Sequence, residues 1–229
     1  MPIDLLKKSN PMTSVLLYSS MGTLKTTTLA QLPKVLIVQD AQRQGAGDLG
    51  KVDVTNMNWL RDWPALAAEI AQSKYESVGL DDVHLWISRQ ITALARDGKM
   101  DQLSQYRNAT SWMRQGYDTL RASGKHVWVT CGHAVDDELV KIGDRAILRK
   151  VVHPDLPPAL REYIGHMSRV VAYGFYSEQA GGRQHTALCW QFCNDKQRVA
   201  AKVTVGLAVP ERVPMQQLVA TVLKAAKGA

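Results

Sequence analysis

A chain of 229 residues, 45% hydrophobic and 21% charged, has the composition of a globular protein and is long enough for one large α/β domain. It contains no apolar run near the ~18 residues that span a bilayer, and its first ten residues lack the apolar core of a secretion signal, which predicts a cytoplasmic protein. A formal net charge of +7 favours a polyanionic partner, and three cysteines, Cys131, Cys189 and Cys193, read as reduced thiols rather than a disulfide framework or a zinc site.

The first element predicted is a buried strand over Val15 to Tyr18. It runs into Ser19-Ser-Met-Gly-Thr-Leu-Lys-Thr-Thr27, a turn of small residues that ends in a Lys-Thr pair and opens a helix from Thr26 to Leu32. A phosphate-binding loop, G-x-x-x-x-G-K-[ST], needs glycines so that backbone N–H groups can curl around a phosphate, a Lys for its outer oxygens, and a hydroxyl for Mg²⁺. Gly22, Lys25 and Thr26 fit that pattern, whereas Ser19 and Leu24 stand at its two defining glycine positions. An ordinary β-α turn with a surface Lys is the other reading of the same residues.

Pro33 ends the helix before a second apolar run, Val35 to Val38, which is followed by Asp40-Ala-Gln42 and a glycine-rich stretch through Gly50. Val52 to Val54 reads as a short strand. A helix is expected from about Trp59 to Ser73, capped by Asn56 or Asn58. Ser77 to Val83 reads as a strand ending in Asp81 and Asp82, where a carboxylate can hold Mg²⁺ near the phosphate loop from a neighbouring strand. Alternation along such a strand points Asp82 away from Asp81.

Helices follow over His84 to Arg96 and Gln102 to Ala122, and a strand over Lys125 to His133 ends in polar Thr130 and His133. Beyond Glu138 the pattern breaks into shorter strands and turns: Ala146 to Val152, an extended turn through His153 to Pro158, and a short helix from Ala159 to Gly165. Ser168 to Tyr176 and Thr186 to Cys193 read as paired strands, and Pro214 starts a final amphipathic helix. Ten basic residues between Lys141 and Lys202 are interleaved with Tyr163, Tyr173, Phe175 and Tyr176, as suits single-stranded nucleic acid or, equally, a solvated basic surface over core aromatics.

The loop around Lys25, Asp40-Ala-Gln42, Asp81-Asp82, Thr130-Cys-Gly-His133 and Pro154-Asp-Leu-Pro-Pro-Ala-Leu-Arg161 together resemble the RecA-like P-loop ATPases of bacteriophages, including the single-strand-annealing ATPases. The resemblance implies one α/β domain over residues 1–229, with a mainly parallel central sheet flanked by helices and a C-terminal β-hairpin and helix. It implies ATP and Mg²⁺ as cofactors, and single-stranded DNA, further copies of the chain and a single-strand-binding protein as partners, in the host cytoplasm. It places nucleotide on Ser20, Met21, Gly22, Thr23, Leu24, Lys25, Thr26 and Thr27, with Thr26 ligating Mg²⁺, Asp81 holding the ion through water and His133 sensing the γ-phosphate. Gln42 stands where an acid is expected to activate water, with Asp82 as its substitute. The expected protein is an ATP- and DNA-binding recombination or annealing factor with slow or absent hydrolysis; the alternative is a scaffold of the same fold that acts through protein partners.

Overall fold

The computed structural model describes residues 12–20, 22–41, 49, 52–57, 62–142, 144–179, 182–194 and 196–228. Its centre is β1 (Ser14–Ser19), every residue of which is buried. On one side β1 pairs in parallel with β5 (His126–Cys131), and on the other with β8 (Val170–Gln179). Beyond β5 the sheet continues in parallel through β4 (Ser77–Leu80), β2 (Val35–Asp40) and β3 (Asp53–Met57). Beyond β8 it turns antiparallel through β9 (Gly182–Leu188) and β13 (Arg212–Pro214), with β12 (Lys202–Val203) also on β8. The resulting order, β13-β9-β8-β1-β5-β4-β2-β3, places the loop-bearing strand beside β5 in a mainly parallel sheet flanked by helices.

Alternation along these strands divides the core. Leu16 and Tyr18 point with Val38, Leu80 and Val129 toward α2 (Trp63–Ala71), α3 (Val83–Arg96), α4 (Gln102–Ala122) and α5 (Pro158–Met167). Val15 and Leu17 point with Ile37 and Trp128 toward α1 (Lys25–Leu29) and α6 (Leu218–Lys227). Strands covered on both faces must be apolar at consecutive positions, hence the unbroken runs in β1 and β2. Gly116 lets α4 approach α2: a Cβ there would lie 2.2 Å from Trp63 Nε1, which donates to the Met113 carbonyl at 3.3 Å.

Several boundaries differ from expectation for identifiable reasons. The helix expected from Trp59 starts at Trp63, where Pro64 fits the first turn and Asp62 occupies the cap position. Asn56 belongs instead to β3 and accepts a bond from Gln39 Nε2 at 3.0 Å, while Asn58 lies outside the described residues. The last helix is preceded by a 3-10 turn over Met215–Gln217.

The larger difference is a second sheet of four described strands, ordered β10-β11-β7-β6. Its core is a hairpin in which β6 (His133–Ile142) pairs along ten residues with β7 (Arg145–Pro154), and β11 (Gln197–Val199) and β10 (Phe192–Cys193) follow. Asp136-Asp-Glu138 is poor strand sequence. Cross-strand partners compensate: Asp137 faces Lys150 at 2.5 Å and Glu138 faces Arg149 at 2.8 Å. The two sheets are joined by Tyr18, whose phenol donates to the Ala200 carbonyl at 2.7 Å with the Val152 carbonyl alongside at 3.3 Å. Among the described residues no helix is long and apolar enough to cross a membrane.

Candidate functional site

At the carboxyl end of β1 the chain makes a tight turn into α1, and two of its residues are left-handed: Gly22 at φ 79° and Leu24 at φ 63°. Glycine reaches this conformation without penalty, whereas a Cβ costs roughly 1–2 kcal/mol. Leu24 therefore adopts the backbone that the absent glycine would have taken. Its carbonyl accepts from both the Thr28 amide and the Thr28 hydroxyl at 2.8 Å, which fixes the first turn of the helix. Leu24→Val, which puts a β-branched side chain into the left-handed region, is expected to lower unfolding free energy by ~1–2 kcal/mol in urea. Leu24→Gly is expected to stay within about 1 kcal/mol of the parent, since relief of strain offsets the added freedom of the unfolded chain.

The other glycine position, Ser19, is accommodated from across the sheet. Ser19 is in register with Gly174 of β8, where a Cβ would stand 3.1 Å from the Ser19 Cβ. The missing glycine is thus supplied by the neighbouring strand. The Ser19 hydroxyl bonds the Thr23 hydroxyl, which also donates to the Ser20 carbonyl at 2.8 Å, so the loop is tied from within. From outside, the phenol of Tyr176 donates to the Gly22 carbonyl at 3.0 Å; its ring, 49% exposed, lies 4.3 Å from that of His185.

Lys25 is buried at the start of α1 and donates to the Ser19 and Ser20 carbonyls at 3.3 and 3.2 Å. Next to it the Thr26 hydroxyl donates to Asp81 Oδ2 at 2.9 Å, and the Thr130 hydroxyl donates to Asp81 Oδ1 at 2.7 Å. Thr130 Oγ1 accepts in turn from the Asp82 amide at 2.8 Å. Thr26, Asp81 and Thr130 thereby link the ends of three elements in one network, buried at Asp81 and Thr130 and half-buried at Thr26.

This arrangement corrects two expectations. Asp81 does not come from the strand next to β1, because β5 lies between β4 and β1 and Thr130 bridges the gap. Asp82 does not point away: β4 stops at Leu80, and Asp82 is left-handed at φ 52°, which turns its carboxylate to within 3.6 Å of Lys25 Nζ. Alternation governs a strand, and Asp82 is no longer in one.

The other expected residues are distributed as follows. Ser20, Gly22, Thr23, Leu24, Lys25, Thr26 and Thr27 belong to the loop and first turn, whereas Met21 and Gln42 lie outside the described residues. His133 begins β6 with its ring edge-on to Tyr173 at 6.0 Å, so Thr130 is the strand-end residue that engages Asp81. Asp40, fully buried at the tip of β2, pairs with Arg89 of α3 at 2.9 Å. Arg89, Tyr176 and Gly174 carry no local sequence signal, since each acquires its role by a long-range contact.

Several of the basic and aromatic residues of the second half are engaged within the fold. Arg149, Lys150 and Arg198 pair with Glu138 or Asp137, Tyr163 is held by Asp118 and covered by Arg114, and Tyr173 stacks on Phe175. Cys189 and Cys193 do not share a strand; burial pushes the Cys189 thiol up to about 12, and Cys193 is exposed in β10.

The donor set suits a hydrated divalent cation. Mg²⁺ retains several waters and needs only one or two protein oxygens, which the Thr26 hydroxyl and the Asp81 carboxylate supply side by side. Among the described residues there is no cluster of three or more His, Cys, Asp or Glu that could ligate a metal directly. No protein-family model matches the sequence, and no curated protein matches it. Among solved structures a similar fold is that of a KaiC-like protein from the hyperthermophilic archaeon Pyrococcus horikoshii OT3, at 13% identity and a TM-score of 0.46 over 77% of this chain and 78% of that one.

Proposed function

We propose that this protein binds magnesium–ATP at the loop between β1 and α1 and hydrolyses it slowly. The observation that carries this reading is the single network in which Lys25 sits in the loop and Thr26, Asp81 and Thr130 converge beside it. Lys25 serves the β- and γ-phosphates, and Thr26 and Asp81 hold the Mg²⁺ that neutralises their charge. The ion is needed for binding as well, because the buried carboxylates Asp40, Asp81 and Asp82 would otherwise face a polyanion.

Slow turnover has two supports. Gln42, placed where an acid is expected, can orient water but cannot take its proton. Asp82 is the carboxylate at hand, and it is engaged with Lys25. Asp82→Asn is expected to raise affinity for a slowly hydrolysed ATP analogue about tenfold, ~1.4 kcal/mol, because the triphosphate no longer competes with a carboxylate for the ammonium. The same change is expected to reduce phosphate release to background. Calorimetry and a phosphate-release assay on the one variant test both; unchanged hydrolysis would remove Asp82 from the chemistry.

On the same reading the partner is single-stranded DNA in recombination or annealing, supported by the net charge of +7. Affinity for an oligonucleotide then falls steeply with salt. The scaffold alternative is favoured by the loop's resting state, in which Lys25 is already satisfied by two carbonyls and a carboxylate. A flat titration with magnesium–ATP and an unmoved melting temperature would select it.

A further inference from the structure

Away from the phosphate loop, a cavity of about 710 Å³ opens between α5 and the second sheet. That volume lies in the range of small-molecule sites. Its floor is apolar: Leu16 of β1, Val151 of β7 and Val171 of β8. Its walls carry charge of both signs.

The acidic groups are already engaged or in solvent. Glu138 is bonded by Arg149 at 2.8 Å and approached by Arg198 at 3.6 Å, and Glu162 is exposed on α5. Asp136 accepts from His153 Nε2 at 2.6 Å. On the other side of the ring, His153 Nδ1 stands against both Arg161 and the Pro154 carbonyl, the latter at 3.0 Å.

Two of the cations opposite them are not matched. Arg161 contacts the His153 ring, and Lys202 donates only to the His166 carbonyl at 3.3 Å; among the described residues neither forms an ion pair. Burial holds the Lys202 ammonium below its ordinary range, the mark of a partly desolvated cation with no counter-charge. Two such cations over an apolar floor favour a ligand with one anionic end and an apolar body.

We propose that this cavity is a binding site for a small amphipathic organic anion, held by Arg161 and Lys202 over Leu16, Val151 and Val171. The site is independent of the nucleotide loop and does not rest on the function proposed above. Octanoate is the probe, with octanamide as its neutral counterpart, titrated into the full chain while the methyl resonances of Leu16, Val151 and Val171 are followed by NMR.

Octanoate is expected to shift these methyls saturably at millimolar concentration and to bind at least tenfold more tightly than octanamide, as a charge-assisted bond requires. Lys202→Met, which keeps the aliphatic stem, is expected to lower octanoate affinity about tenfold. Gly165→Leu is expected to block binding: nothing lies within 4 Å of a Cβ at Gly165 on the cavity wall, and replacing a helical glycine favours the fold, so this variant separates lost binding from unfolding. Methyls that do not move, octanamide binding as tightly as octanoate, or full binding by Gly165→Leu would each overturn the proposal.

Discussion

Lys25→Met is expected to lower affinity for magnesium–ATP about a hundredfold, by calorimetry, while leaving a folded protein. The ammonium is the loop's one described side-chain cation, and losing its charged hydrogen bonds to phosphate removes ~3 kcal/mol. The substitution also leaves Asp82 buried without the ammonium 3.6 Å away, so the melting temperature is expected to fall as well. These two effects separate in a double-mutant cycle. Adding Asp82→Asn to Lys25→Met should restore most of the stability and none of the affinity. Arg at position 25 is not expected to rescue, because a planar fork does not match a pocket shaped around a point charge. Parent-like affinity in Lys25→Met would mean that the loop does not hold phosphate.

The second large effect is expected at Asp81. Asp81→Ala should cost about 3 kcal/mol of unfolding free energy in urea, because both of its carboxylate oxygens accept from hydroxyls in a buried site and the alanine leaves Thr26 and Thr130 without that acceptor. Asp81→Asn should cost less, about 1 kcal/mol, since an amide of the same shape can still accept from one hydroxyl and donate to the other. Both variants should lose the magnesium dependence of nucleotide binding. An Asp81→Ala protein that unfolds at the parent's urea concentration would show that the network contributes nothing to stability.

What could be read from the chain was what is written locally. β1, the small-residue turn and the Lys25-Thr26 pair are contiguous, α4 carries its own N-cap in Asp101, and its bounds were expected as observed. The Ser19 departure from the glycine pattern has its compensation in Gly174, which lies in another strand and is invisible locally. Asp82 was misplaced because a left-handed aspartate leaves no trace in a hydrophobic pattern, and a strand rule was extended one residue too far. β6 was missed because its acidic residues depend on the cations of β7 opposite. The Asp40–Arg89 pair joins a strand tip to a helix interior and has no periodicity to betray it.

The central position of β1 has a consequence for synthesis. It leaves the ribosome before the strands that flank it, yet the Thr13 amide waits for His126, 113 residues on, and the Ser14 hydroxyl for the Met167 carbonyl, 153 residues on. At the ~5–20 residues per second of translation, the apolar run Val15-Leu-Leu-Tyr18 stays without its final neighbours for roughly 8–30 s. Nascent chains of this protein should therefore recruit a chaperone until β8 has emerged.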